Sequence, residues 1–204
     1  MESKFITLEG IEGSGKSTNI ETINKILDQE SIEYINTIEP GASSIGKNIR
    51  NILLDRETNI STEAELLLML ADRKDHIEKV IVPALRSKKW VISDRFMDST
   101  YAYQGGGRRY SIEKINRLAE LLEIPVPSLT LLFDLPVNQA LERVSIRPNL
   151  DRFESESLEF HQRIRDTYLK LATQNPERIV VIDASKNLEE VKEAVRSVVK
   201  GIIK

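Results

Sequence analysis

Residues 10–17 read Gly-Ile-Glu-Gly-Ser-Gly-Lys-Ser. Gly10, Gly15, Lys16 and Ser17 fill every required position of the pattern G-x-x-x-x-G-K-S/T, with Ile11, Glu12, Gly13 and Ser14 between them. Glycines let backbone N–H groups turn inward around phosphate oxygens, and a following helix N-terminus adds partial positive charge. In such a loop the lysine reaches the β- and γ-phosphates of a nucleoside triphosphate, and the serine hydroxyl ligates Mg²⁺. The flanks suit this chemistry. Residues 4–9 (KFITLE) alternate and are β-prone. Residues 17–28 (STNIETINKILD) place Ile20, Ile23 and Leu27 near helical spacing. The pattern predicts a phosphate cradle between a strand and a helix, and leaves the fate of the bound triphosphate open.

The loop must be held by a scaffold, and the scaffold is legible in outline. Five β-prone runs, 5–9, 33–38, 90–94, 129–134 and 178–183, alternate with helical patterns. That alternation predicts an α/β fold, a five-stranded parallel sheet with helices on both faces. The last three runs are continuously apolar, as expected of strands buried on both faces. They end in Asp94, Asp134 and Asp183, and ligand crevices in open α/β sheets lie beyond the carboxyl ends of strands. Three carboxylates are therefore expected on the loop side, one of them a second Mg²⁺ anchor. Residues 61–82, 112–122 and 154–172 read as helices, with Ser111 placed to cap the second. The C-terminal stretch carries Leu188, Val191, Val195, Val198 and Ile202, with Asn187 and Glu190 spaced as a capping box.

The 204 residues show no linker, repeat or low-complexity segment, so residues 1–204 read as one P-loop domain. A net charge of −3 gives no global field for nucleic acid or an anionic membrane. Cysteine is absent, which excludes disulfides and thiolate metal sites. No long apolar run marks a leader or a membrane span, so the expected location is cytoplasmic.

A triphosphate cradle serves kinases, GTPase switches and motors. The string nearest a guanine-reading N-K-x-D, Asn24-Lys25-Ile26-Leu27-Asp28, has one residue too many and lies in the first helical segment. A small-molecule kinase needs a second substrate site and a cationic lid that excludes water. Asp94-Arg95 ends a strand. Arg143, Arg147 and Arg152 cluster in a proline-interrupted segment, approximately 143–154, that reads as a lid. Arg50 and Arg73 sit on two further helical segments. One well-placed arginine contributes roughly 10³–10⁵ in phosphoryl-transfer rate.

These residues together resemble the thymidylate kinase family. The strings that carry the resemblance are Leu-Glu-Gly-Ile-Glu-Gly-Ser-Gly-Lys-Ser-Thr18, Glu-Pro-Gly41, Asp94-Arg-Phe, Ser99-Thr-Tyr-Ala-Tyr-Gln-Gly-Gly-Gly107 and Leu-Asp-Arg-Phe-Glu154. The resemblance implies a nucleoside monophosphate kinase-like P-loop fold with a short helical lid. It implies ATP and Mg²⁺, dTMP as acceptor, and a homodimer. Residues 10–18, from Gly10 to Thr18, would hold ATP, with Ser17 and Asp94 at the metal and Arg143 against adenine. Glu12 would face the acceptor sugar 3′-OH. Arg50, Arg73 and Arg95 would hold its phosphate, Thr100 and Gln104 the thymine edge, and Tyr103 the sugar C2′. Glu39 and Pro40 would shape the neighbouring loop. The family supplies its catalytic cation either from the loop or from the lid; no residue between Gly10 and Gly15 is basic here, so the resemblance implies the lid, with Arg147 first and Arg143 and Arg152 behind it. Arg152 is expected to pair with Asp151 or Glu154.

Three positions depart from the family pattern. Met69 stands where an aromatic ring usually covers the base; its thioether is a softer platform. Ile38 replaces the arginine before Glu-Pro-Gly, and Ala42 replaces a second glycine. Two other functions stand beside dTMP phosphorylation: a kinase for another deoxynucleoside monophosphate, and an ATP-binding regulatory protein without turnover. His76 and His161 fall in no signature string, and neither is expected to act in catalysis.

Overall fold

A computed structural model describes residues 2–146 and 150–203. Five strands, β1 (Phe5–Glu9), β2 (Tyr34–Ile38), β3 (Trp90–Asp94), β4 (Leu129–Asp134) and β5 (Ile179–Asp183), form one sheet in the order β2-β3-β1-β4-β5. Every pairing is parallel, with Ile6 opposite Ile92 on one side and Leu129 on the other. The order reverses at β1, which places a crevice at its carboxyl end.

Alternate residues of the strands face opposite layers. Ile6, Leu8 and Ile92 join Ile23, Ile26 and Leu27 of α1 (Lys16–Gln29) and Val191 and Val195 of α9 (Leu188–Ile203) in one apolar cluster. Phe5 and Val91 join a second, with Leu66 and Leu70 of α3 (Thr62–His76), Ile81, and Ile115 of α6 (Ile112–Leu121). Ser111 accepts from the Lys114 N–H, and Asn187 and Glu190 form the expected box at the start of α9.

Two expectations change. The apolar run of β5 lies at a sheet edge, where Val181 is 45% exposed, so it is not buried on both faces. The alternating run of β1 is, like β3, buried throughout. Its polar residues are accommodated by partners: the Thr7 and Thr130 hydroxyls lie 2.8 Å apart, and Glu9 accepts from the Phe96 N–H at 2.8 Å. Alternation in β1 therefore records buried polar chemistry rather than a solvated face.

Further helices are α2 (Gly46–Leu54), α4 (Val82–Arg86), α5 (Met97–Thr100), α7 (Val137–Ser145) and α8 (Leu158–Gln174). The last begins four residues later than the sequence predicts, because residues 152–155 form a turn and Ser157 caps the helix by accepting from the Phe160 N–H. Residues Ile77–Ile81 and Tyr101–Gly107 are π-helical, which the periodicity does not reveal. Among the described residues no helix is long and apolar enough to cross a membrane.

Candidate active site

Beyond the carboxyl ends of β1, β2 and β3 lies a cavity of about 410 Å³. One of its walls is the loop after β1. Gly10 turns there at φ 137°, and a β-carbon on it would sit 2.5 Å from the Phe133 carbonyl oxygen, so only glycine fits. Unlike α3, α6 and α8, α1 starts without a side-chain cap. Its first residues, Lys16, Ser17 and Thr18, line the cavity with Glu12, Gly13 and Gly15. Open amides at a helix start are an anion site. Ile11 turns its side chain into the core. The Ser14 hydroxyl is buried without a hydrogen-bond partner among the described residues.

Lys16 Nζ donates to the carbonyls of Gly10 and Ile11, at 2.9 and 3.0 Å. Burial, reinforced by the Arg95 charge, pushes its ammonium down to about 8. Arg95 comes directly after β3 in a left-handed conformation, φ 73°. Its guanidinium donates to Gly10 O, Ser99 Oγ, Tyr168 OH and Glu12 Oε1, the last at 2.7 Å. It also lies 4.9 Å from the Tyr103 ring centroid. Glu12 Oε1 receives the Tyr103 hydroxyl at 2.6 Å, while Glu12 Oε2 is buried and has no partner among the described residues. Burial alone would raise the Glu12 carboxyl. Arg95, Lys16 and the Tyr103 hydrogen bond outweigh it and hold the group below its ordinary range.

The opposite wall carries Glu39, Pro40, Arg50, Met69, Arg73, Thr100 and Gln104. Arg50 donates to the Pro40 carbonyl at 2.7 Å. Arg73, 2% exposed, donates to Glu39, Thr100 Oγ1, Met97 Sδ and the Phe96 carbonyl. Gln104 donates through Nε2 to Glu65 at 2.9 Å. Asp72, beside Arg73, accepts from the Gly41 N–H, and burial next to Glu39 lifts its carboxyl to about 6. The structure thus brings the loop, Asp94, Arg95 and the expected acceptor-side residues onto one cavity.

Among the described residues Asp94 Oδ1 is buried without a hydrogen-bond partner, and Ser17 lines the same cavity. Carboxylate and hydroxyl oxygens are the donors a hard divalent cation takes, so these two residues fit Mg²⁺. The other two strand-end aspartates do not join them. Asp134 is held by both Nε and Nη2 of Arg165, and Asp183 accepts from the Ser185 backbone and hydroxyl at the exposed sheet edge.

The two described lid arginines separate. Arg143, at the end of α7, donates to the Gly13 carbonyl at 3.3 Å and lines the cavity. Arg152 pairs with Glu65 at 2.8 Å and donates to the Leu53 carbonyl. Asp151 instead accepts from the N–H groups of Phe153 and Glu154. Arg147 lies outside the described residues.

Sequence reasoning missed the groups behind the wall. His76 is fully buried, with Nδ1 2.7 Å from Glu39 Oε1 and Nε2 2.6 Å from Thr37 Oγ1. Its spacing of three from Arg73 on one helix face was the available signal. Glu65 and Tyr168 lie in no signature string and are found only through their partners, and Glu9 stands in the Leu8–Thr18 string without a role assigned to it there. His161 is buried as well, and its Nε2 has no hydrogen-bond partner among the described residues.

Comparison with known proteins gives the family. The thymidylate kinase family model matches residues 8–195. A thymidylate kinase of Cupriavidus necator is 46% identical over 205 residues, covering 99% of this chain and 100% of the relative. One of Nitrosomonas europaea is 44% identical, covering 97% and 92%. The crystal structure of thymidylate kinase from Ehrlichia chaffeensis superposes with a TM-score of 0.80 at 32% identity, covering 98% of this chain and 99% of that one. With the family model matched over most of its length and relatives at this identity, the chain belongs to the thymidylate kinase family.

Proposed function

We propose that the chain transfers the γ-phosphoryl group of ATP to the 5′-phosphate of dTMP, giving dTDP and ADP. The observation that carries this reading is one cavity lined both by an uncapped helix start with Lys16 and by three arginines, Arg95 against the loop and Arg50 and Arg73 across from it. An acceptor phosphate oxygen is already anionic, so in-line attack needs no general base. What remains is positioning and charge neutralisation.

On this reading Lys16 and the amides from Gly10 to Thr18 hold the ATP phosphates, and Arg143 lies toward the adenine. Arg95 and Arg50 hold the acceptor phosphate. Arg73, with most of its donors engaged, mainly shapes that wall. Glu12 Oε2 is the free acceptor for the sugar 3′-OH, and the Tyr103 ring fills the space a ribose 2′-hydroxyl would need. Thr100 Oγ1 already accepts from Arg73, so its own proton is left for the base. Met69 covers the base, and Glu39 and Pro40 close the loop beside it. Mg²⁺, when bound, screens the phosphate charge; Ser17 and Asp94 would hold it.

The catalytic cation is assigned to Arg147 because the loop positions between Gly10 and Gly15 carry no basic residue. Arg147→Ala lowers kcat by roughly 10³-fold with a small change in KM for dTMP; equal loss in both parameters removes the assignment. Exposed Leu67 on α3 and Ile52 on α2 leave an apolar surface that favours a homodimer, read by sedimentation equilibrium. Cysteine-free composition suits the cytoplasm.

The decisive assay is ADP release with ATP, Mg²⁺ and each deoxynucleoside monophosphate in turn. Turnover with dTMP well above dCMP, dGMP and dAMP is expected. Preference for another acceptor, or ATP binding without turnover, replaces this reading.

A further inference from the structure

Gln104 lines the cavity, yet its amide is not free to choose an orientation. Its Nε2 donates to Glu65 Oε1 at 2.9 Å. No protein donor reaches its Oε1 among the described residues, so the carbonyl end is the one left to the cavity. Glu65 is 1% exposed, and among the described residues its partners are all donors. Arg108 Nε reaches both its oxygens, at 3.3 and 3.2 Å, and Arg152 Nη1 reaches Oε2 at 2.8 Å. A guanidinium only donates, and a carboxylate bonded this way only accepts.

We propose that Glu65 is a specificity-determining positioning residue: by accepting from Gln104 Nε2 it fixes the Gln104 carbonyl toward the base. This rests on the reading above, in which Gln104 meets the base edge. Thymine carries N–H at N3 and needs an acceptor there. Cytosine carries a lone pair at N3 and needs a donor. An acceptor held toward that position accepts the first base and leaves the second with two opposed lone pairs. A site built around one hydrogen bond rejects the mismatched ligand strongly because the buried polar group stays unpaired.

Glu65→Gln inverts the arrangement. The two arginines claim the single remaining oxygen, the new amide turns its NH₂ toward Gln104, and Gln104 must present its carbonyl to it. Its own NH₂ then faces the cavity. The expected result is a fall of about 10²-fold in the ratio of kcat/KM for dTMP to that for dCMP, with KM for ATP within about twofold of wild type. A purely structural role for Glu65 lowers both acceptors together and leaves the ratio in place, and that outcome overturns the proposal. If Glu65→Gln does not fold, Glu65→Ala replaces it. Removing the acceptor without inversion still drops the ratio by about tenfold, and an unchanged ratio overturns the proposal equally. Gln104→Leu separates the two levels. If it keeps the wild-type ratio, the base-edge reading of Gln104 fails; if it loses the ratio while Glu65→Gln keeps it, only the role of Glu65 fails.

Discussion

Lys16 sits on two carbonyls of its own loop, buried and next to Arg95. Both effects disfavour its charge, and they bring its pKa down to about 8. The ammonium is present below that value and lost above it, so the free enzyme's hold on triphosphate weakens as pH rises through about 8. Because kcat/KM reports the free enzyme, kcat/KM for ATP declines above pH 8, approaching tenfold per pH interval of one. Lys16→Arg keeps a charge throughout and removes that inflection; an inflection that survives the substitution assigns it to another group. The position of Lys16 was legible in the spacing of the loop motif. Its depressed pKa was not, because Arg95 arrives from a distant part of the chain only once β3 lies beside β1. The same holds for His76, whose partners Glu39 and Thr37 meet it through α3 packing rather than through sequence proximity.

At the scale of elements, the segment that carries Tyr103 and Gln104 is π-helical, and apolar spacing near 3.6 gives no sign of it. The strands were legible to within a residue, and α6 and α9 were legible through their caps, because those signals are local. The turn before α8, the edge position of β5 and the separation of Arg143 from Arg152 depend on packing, which no local pattern records. The π-helical segment is held close against α8. A β-carbon at Gly107 would lie 2.6 Å from Phe160 Cε2, while Arg163 of α8 donates to the Gly107 carbonyl at 2.8 Å. Gly107→Ala must therefore push the segment or the Phe160 ring away. The expected cost is about 1–3 kcal/mol, read from the urea unfolding midpoint, together with a raised KM for dTMP as Tyr103 and Gln104 shift. Lost stability at unchanged KM confines the strain to α8.

For the molecule as a whole, the buried carboxylate of Glu9 sets function against stability. Burial, and then the nearby Asp98 charge, lift its pKa to about 7. A carboxyl raised in the folded state contributes stability that is fully present below its unfolded value of 4.5 and lost as pH rises through about 7. Asp72, raised to about 6, acts in the same direction over a lower window. Ionising Glu9 above neutral pH thus costs about 3 kcal/mol. Geometry shows what that cost supports. Ser99 and Tyr168 both donate to Glu9 Oε2, at 2.6 and 2.9 Å, which leaves their oxygens to accept from Arg95 Nη1. Glu9→Gln puts a donor where an acceptor stood, reverses those hydroxyls, and takes two acceptors from Arg95. The variant gains on wild type by about 3 kcal/mol in unfolding free energy between pH 5 and pH 8, while its kcat/KM for dTMP at pH 8 falls by about tenfold or more. Stability curves that run parallel for the two proteins place the ionisation of Glu9 outside this window. Activity that stays at the wild-type level separates Glu9 from the orientation of Arg95. Opposite changes in stability and activity from one atom-for-atom substitution are what a trade-off at a functional site requires.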